Sequence, residues 1–232
     1  DFPYLIEEGL KPKMNNNIPN KEIFVYYAGH GDLYKSFDER DEKDITKSYF
    51  IPVDARDKPR DPDRDWMSQD EFYSQLSEIE RVANIYVFVD ACFSGQNRDS
   101  DYASNKVKLD FESGSVRGGL RDGGLQKTYQ NLHIFSAVSA NQTAYKYNHF
   151  KSHNKFSLDN GLFTTFLLTS FQKNRETNKM NADSNNDNKL TANEINDFVS
   201  SKVSNFSGNN QRPKVTLGNS IGGNSVIFQI NN

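Results

Sequence analysis

The chain's one cysteine, Cys92, stands where an apolar run stops, in the stretch NIYVFVDACFSGQ at 84–96. A second chemistry-bearing residue, His30, follows another apolar run in EIFVYYAGHGD and lies between Gly29 and Gly31. Taken singly, a thiol at the end of a buried strand fits core filler, and a histidine between glycines fits an ordinary turn. Taken together they read differently, because open α/β sheets place their sites at the carboxyl ends of buried strands. In a thiol hydrolase the thiolate attacks, and a nearby imidazole lowers its pKa and later protonates the leaving amine. Glycines beside the histidine let backbone N–H groups approach a substrate carbonyl as part of an oxyanion hole.

Three runs rich in aromatic and β-branched residues must position this pair: 22–29, 84–91 and LHIFSAV at 132–138. Their apolar residues are near-continuous, the pattern of strands buried on both faces of a parallel sheet covered by helices. Between the first two, SQDEFYSQLSEIERV sets Ser68 and Glu71 at capping-box spacing and puts Phe72, Leu76 and Ile79 on one helical face. After the third, Leu162, Phe163, Phe166, Leu167 and Phe171 repeat at helical spacing, as do Ile195, Phe198, Val199 and Val203. NSVIFQI predicts a closing strand. The fold class read from this order is α/β, a mostly parallel sheet flanked by helices, in one domain over 1–232. Two long segments interrupt it, the charged and proline-bearing 34–66 and the Gly/Ser/Arg-rich 97–130, and both are predicted to be functional or disordered loops.

Composition narrows the function classes. A net charge of −3 and a pI near 5.9 leave no overall basic footprint for nucleic acid or an anionic membrane surface. One cysteine excludes an internal disulfide framework and a Cys-based zinc site. No run approaches the roughly 20 apolar residues of a membrane span. The opening DFPYLIEEGLKPK lacks the charged-then-apolar layout of a signal peptide, which favours the cytoplasm as the expected compartment. A mean hydropathy of −0.81 points to large surface loops.

Read in order, FVYYAGHGD, YFIPVDA, VFVDACFSG, HIFSAVSANQTAYK and GLFTTFLL resemble successive segments of bacterial caspase-like and metacaspase-like cysteine proteases. The resemblance implies a caspase-like three-layer sandwich in which His30 is the catalytic histidine and Cys92 the nucleophile. It assigns the backbone N–H groups of Gly31 and Cys92 to the oxyanion hole. The Gln-Ala-Cys-x-Gly of animal caspases is replaced here by Asp90-Ala91-Cys92-Phe93-Ser94-Gly95. Metacaspase-like enzymes carry an aspartate at that position, lining the pocket for the residue before the scissile bond, so the resemblance implies that Asp90 selects Arg or Lys. The alternative for Asp90 is a strand-end carboxylate bonding local backbone. The family fold opens with a strand and helix ahead of the histidine strand, and these are not legible here. Either they form a separate chain after processing, which makes an N-terminal fragment of the same precursor an expected partner beside a peptide or protein substrate, or this chain is the caspase-like part of a longer precursor. His133, His149 and His153 match no catalytic position and read as core or surface residues.

A separate motif, DSNNDNKLTANE, sets Asp183, Asn185, Asp187, the Lys189 carbonyl, Thr191 and Glu194 at the ligand spacing of an EF-hand-like calcium loop, 183–194. Asn188 stands where glycine is usual, and asparagine tolerates the left-handed conformation needed there. Ca2+ is thus an expected cofactor, with a solvated Asn/Asp turn capping the next helix as the alternative. By the resemblance, 97–130 is the linker joining the large and small parts of caspase-like enzymes, and Arg117 and Arg121 within it are candidate processing sites. The function read from the sequence is a cysteine endopeptidase with a His30–Cys92 dyad, cleaving after Arg or Lys, calcium-modulated and self-processed. A catalytically silent caspase-like module acting as a calcium-dependent scaffold is the alternative.

Overall fold

The computed structural model describes residues 21–38, 43–55, 62–92, 129–138, 144–145, 160–219 and 226–229. In chain order their elements are β1 (Glu22–Asp38), β2 (Lys43–Ile51), α1 (Pro62–Asp65), β3 (Met67–Ser68), α2 (Gln69–Ser77), β4 (Asn84–Cys92), β5 (Leu132–Ser136), α3 (Leu162–Ser170), β6 (Lys189–Thr191), α4 (Ala192–Phe206), β7 (Lys214–Thr216) and β8 (Val226–Gln229).

One six-stranded sheet runs β3-β2-β1-β4-β5-β7. The parallel part is its centre, β1 with β4 and β4 with β5, built from the three predicted apolar runs. Its edges are antiparallel, β1 with β2, β2 with β3, and β5 with β7, so the sheet is mixed. Parallel neighbours require a crossover of a dozen or more residues, which α2 supplies between β1 and β4, whereas β1 turns straight into β2.

Helices cover both faces and give three layers. Successive strand residues point to opposite faces, so β4 divides its side chains between two cores. Ile85, Val87 and Val89 pack with Phe72, Leu76 and Ile79 on the α2 side. Tyr86 and Phe88 pack with Phe135, Leu162, Phe163, Ile195, Val199 and Val203 on the α3 and α4 side. Each fully buried aliphatic or aromatic side chain contributes about 1.5–3 kcal/mol. One helix starts at its predicted cap, where the Ser68 hydroxyl accepts the Glu71 N–H at 3.1 Å, and another starts at a reciprocal capping box of Thr191 and Glu194, residues the sequence offers as calcium ligands.

Two expectations are corrected. The predicted loop 34–66 holds a hairpin, because β1 continues through Asp38 and pairs with β2 from His30↔Ile51 to Asp38↔Lys43. Its charged composition hid it, since the pairing is a backbone ladder that composition does not record, and among the described side chains of the hairpin Tyr49, Phe50 and Ile51 are buried. β1 is not buried on both faces: Phe24 is 54% and Tyr26 52% exposed, while Ile23, Val25 and Tyr27 pack into the α2-side core. The closing strand, β8, pairs with β6 in a separate two-stranded sheet, and the short β7 takes the edge beside β5.

Candidate active site

The parallel pairing of β1 with β4 ends in three register partners, Ala28↔Asp90, Gly29↔Ala91 and His30↔Cys92. His30 and Cys92 thus stand opposite each other, their backbones one strand spacing apart, about 4.8 Å. Sixty-one residues of sequence lie between them, and the fold removes that separation by running both strands in the same direction. His30 belongs to two ladders at once, because it is also the partner of Ile51 at the start of the β1–β2 hairpin. Its side chain is exposed. For Cys92 the structure describes the backbone, which closes β4.

Asp90, two residues back along β4, is 7% exposed. Its Oδ2 accepts both the backbone N–H (3.1 Å) and the hydroxyl (2.5 Å) of Thr164. With that hydroxyl donating to Asp90, the Tyr26 hydroxyl donates to the Thr164 oxygen at 2.7 Å. Among the described residues Oδ1 takes no hydrogen bond. The arrangement follows from what α3 lacks. Its N-cap is Gly161, which has no side chain to receive the free N–H groups of the first turn. Thr164 is three residues beyond the cap, the position whose N–H an N-cap side chain ordinarily receives, and Asp90 receives it from β4 instead. The positive end of the helix dipole also favours a carboxylate there. Burial raises the Asp90 pKa, and the two hydrogen bonds from Thr164 pull it back. Gly161 is needed for this contact, since a Cβ on it would lie 1.9 Å from Asp90 Oδ2.

The 183–194 loop is closed by hydrogen bonds from its own backbone to its own side chains. Asp183 accepts the N–H groups of Asp187 (3.1 Å) and Asn188 (3.0 Å). Asn185 accepts from Asp187 at 2.9 Å, and Asp187 from Lys189 at 2.9 Å. Asn186 and Asn188 are left-handed, with φ of 64° and 63°. Glu194 is committed elsewhere. Its Oε1 accepts the Ser184 N–H (3.2 Å) and hydroxyl (3.1 Å), and its Oε2 the Thr191 N–H (3.0 Å) and hydroxyl (2.9 Å). Burial works against the charge on Glu194, yet these bonds hold its pKa below the ordinary carboxylate range. The oxygen donors suit a hard cation, but among the described residues no three His, Cys, Asp or Glu side chains converge.

His133 is a core residue. It is stacked on Tyr86 with ring centroids 5.1 Å apart, its Nδ1 accepts the Gly218 N–H at 3.0 Å, and burial pushes its pKa down to about 4. Arg117, Arg121, His149, His153 and most of the 97–130 linker lie outside the described residues. Sequence reasoning missed Thr164, Gly161 and Tyr27, whose hydroxyl donates to the His30 carbonyl at 2.7 Å. Of these only Gly161, a glycine directly before a helical run, left a local signal. Among the described residues no helix is long and apolar enough to cross a membrane.

Residues 15–219 match the family model described as the caspase domain, a peptidase family. No curated protein matches the chain. Among solved structures, protein GSU0716 from Geobacter sulfurreducens is similar at 16% identity and a TM-score of 0.48, over 88% of this chain and 68% of that one.

Proposed function

The chain belongs to the caspase-domain family, and from that premise we propose that it is a cysteine endopeptidase working through Cys92 and His30. The observation that carries this reading is the register pairing of these two residues at the carboxyl end of the parallel strands. His30 takes the proton of the Cys92 thiol, and the thiolate adds to the substrate carbonyl carbon. The resulting oxyanion accepts hydrogen bonds from the backbone N–H groups of Gly31 and Cys92. As the C–N bond breaks, the imidazolium gives its proton to the leaving amine, and water then hydrolyses the thioester to free acid and thiol.

In this reading Asp90 selects Arg or Lys before the scissile bond. What supports it is a nearly buried carboxylate with one oxygen anchored on Thr164 and the other unengaged among the described residues. A guanidinium in that pocket would find the carboxylate fixed in orientation. Ca2+ at 183–194 and cleavage of the linker after Arg117 or Arg121 belong to the same proposal. Calcium, when bound, would supply a cation that draws the loop oxygens together. It would be held by Asp183, Asn185, Asp187 and the Lys189 carbonyl, and Glu194 would have to leave its cap to join them.

Peptide amides ending in Arg, Lys or Asp test the reading. Wild type should cleave the first two, and Cys92→Ala and His30→Ala should each lower turnover by about 1,000-fold or more with unchanged circular dichroism. Either variant keeping most of the turnover would remove the dyad, and a wild type that cleaves none of the three peptides would favour the silent scaffold. Intact-mass spectra of wild type beside Cys92→Ala test self-processing, for which the linker cuts should be confined to the wild type.

A further inference from the structure

Tyr27 sits three residues before His30, on the opposite face of β1 from Phe24 and Tyr26. Its hydroxyl donates to the His30 carbonyl at 2.7 Å and lies 3.3 Å from the Ile51 carbonyl of β2. Its ring is held by Phe50, with centroids 4.4 Å apart. Gly29 leaves the space the hydroxyl occupies, since a Cβ there would lie 2.8 Å from Tyr27 Oη. The stretch YYAGHG therefore contains a reaching hydroxyl, a vacancy for it and the peptide unit it holds.

That peptide unit joins His30 to Gly31. A trans peptide is planar, so its C=O and N–H point in opposite directions. β2 and β4 flank β1 on opposite edges. Through Tyr27 the His30 carbonyl is drawn towards the side on which Ile51 of β2 lies, and the Gly31 N–H is turned the other way, towards β4, where Cys92 is the register partner of His30. A hydrogen bond accepted by the carbonyl also polarises the amide and strengthens its N–H as a donor. We infer that Tyr27 is a positioning residue that, by holding the His30 carbonyl, aims the Gly31 N–H at the oxyanion formed when Cys92 attacks. This inference rests on the peptidase reading of His30 and Cys92.

Tyr27→Phe in the full chain removes the hydroxyl and keeps the ring against Phe50. Three measurements decide the matter: kcat and KM on an Arg peptide amide, alkylation of Cys92 by iodoacetamide from about pH 5 to about pH 9, and the Gly31 amide resonance without substrate. Because Cys92 is the single cysteine, alkylation reports on it alone. Displacement at a saturated carbon forms no oxyanion, so alkylation reads the thiol and its histidine without the hole. The expected result is a fall in kcat of about 10- to 100-fold, less than the loss of a donor outright. KM should stay within about twofold, the alkylation profile should be unchanged, and the Gly31 resonance should move. An unchanged kcat, or alkylation falling together with kcat, overturns the inference, the second because Tyr27 would then merely support the dyad or the fold. If wild type cleaves no peptide, the peptidase reading fails and the amide resonance decides alone: movement in Tyr27→Phe supports the positioning, and an unmoved resonance overturns it.

Discussion

Asp90 and Thr164, 74 residues apart, are joined by two hydrogen bonds to one carboxylate oxygen, so the end of β4 serves as the N-cap of α3. The cap and the proposed specificity pocket share one side chain, and different substitutions separate them. Asp90→Ala should lower unfolding stability by about 1–3 kcal/mol, because buried donors on Thr164 lose their acceptor, and it should also lose the Arg/Lys preference. Asp90→Asn keeps an oxygen suited to capping and loses the charge, so it should stay within about 1 kcal/mol of wild type while losing that preference. Urea unfolding and the ratio of kcat/KM for Arg and Asp peptides check both. A preserved Arg preference in Asp90→Asn would move the pocket elsewhere.

Gly161 tests the same junction from the helix side. Its φ of −57° suits any residue, so the harm in Gly161→Ala comes from contact, a Cβ 1.9 Å from Asp90 Oδ2. The expected loss is about 1–3 kcal/mol. In Gly161→Ala with Asp90→Ala the clash is gone, and the combined loss should be well below the sum of the two. Additive losses in a double-mutant cycle by urea unfolding would show that the carboxylate and Gly161 do not meet.

Acid stability follows from two groups that titrate in opposite senses. The His133 pKa falls from its ordinary 6.5 to about 4 through burial, so the folded state binds fewer protons than the unfolded chain between those values. That contribution is full above pH 6.5 and is lost as pH falls through about 4. The Asp70 pKa rises from 3.8 to about 6, with burial dominant and Lys47 opposing it, and its Oδ1 is buried without a hydrogen-bond partner. That contribution is full below pH 3.8 and is lost as pH rises through about 6. The two offset each other in wild type. Asp70→Asn should therefore gain stability relative to wild type between about pH 4 and about pH 7, on the order of 1 kcal/mol once solvent screening of a partly exposed group is allowed for. Its own stability should then drop more steeply on acidification. Urea midpoints at several pH values measure this, and parallel wild-type and variant curves would refute it.

For the 183–194 loop, titration calorimetry with calcium should give weak to moderate binding that Asp183→Ala abolishes. Because Glu194 must leave its cap to ligate, Glu194→Gln should weaken calcium binding while keeping most of the helix stability, whereas Glu194→Ala should also cost about 0.5–2 kcal/mol through loss of the cap. Identical calcium heats for wild type, Asp183→Ala and Glu194→Gln would leave the loop as a helix-capping turn.

Local patterns in the sequence were enough for the parallel centre and its helices. The apolar runs of β4 and β5, the Ser68 cap, and the spacing of Phe72, Leu76, Ile195 and Val199 each report the environment of the segment that carries them. That a histidine and a cysteine each follow an apolar run was equally legible, and with it the family, although β1 proves half-exposed and runs on past His30 to Asp38. What the fold alone decided is which distant groups meet. The β1–β2 hairpin is held by backbone pairing, which composition does not record. Asp90 caps a helix 74 residues away because Gly161 left its first turn without a side chain. Tyr27 reaches the His30 carbonyl because Gly29 vacates the space between, and Glu194 turns to its own cap because Thr191 and Ser184 present donors within reach. Periodicity along a chain encodes how much of a segment is buried, whereas hydrogen bonds across elements depend on the angles and register at which those elements pack, and these exist only once the chain has folded.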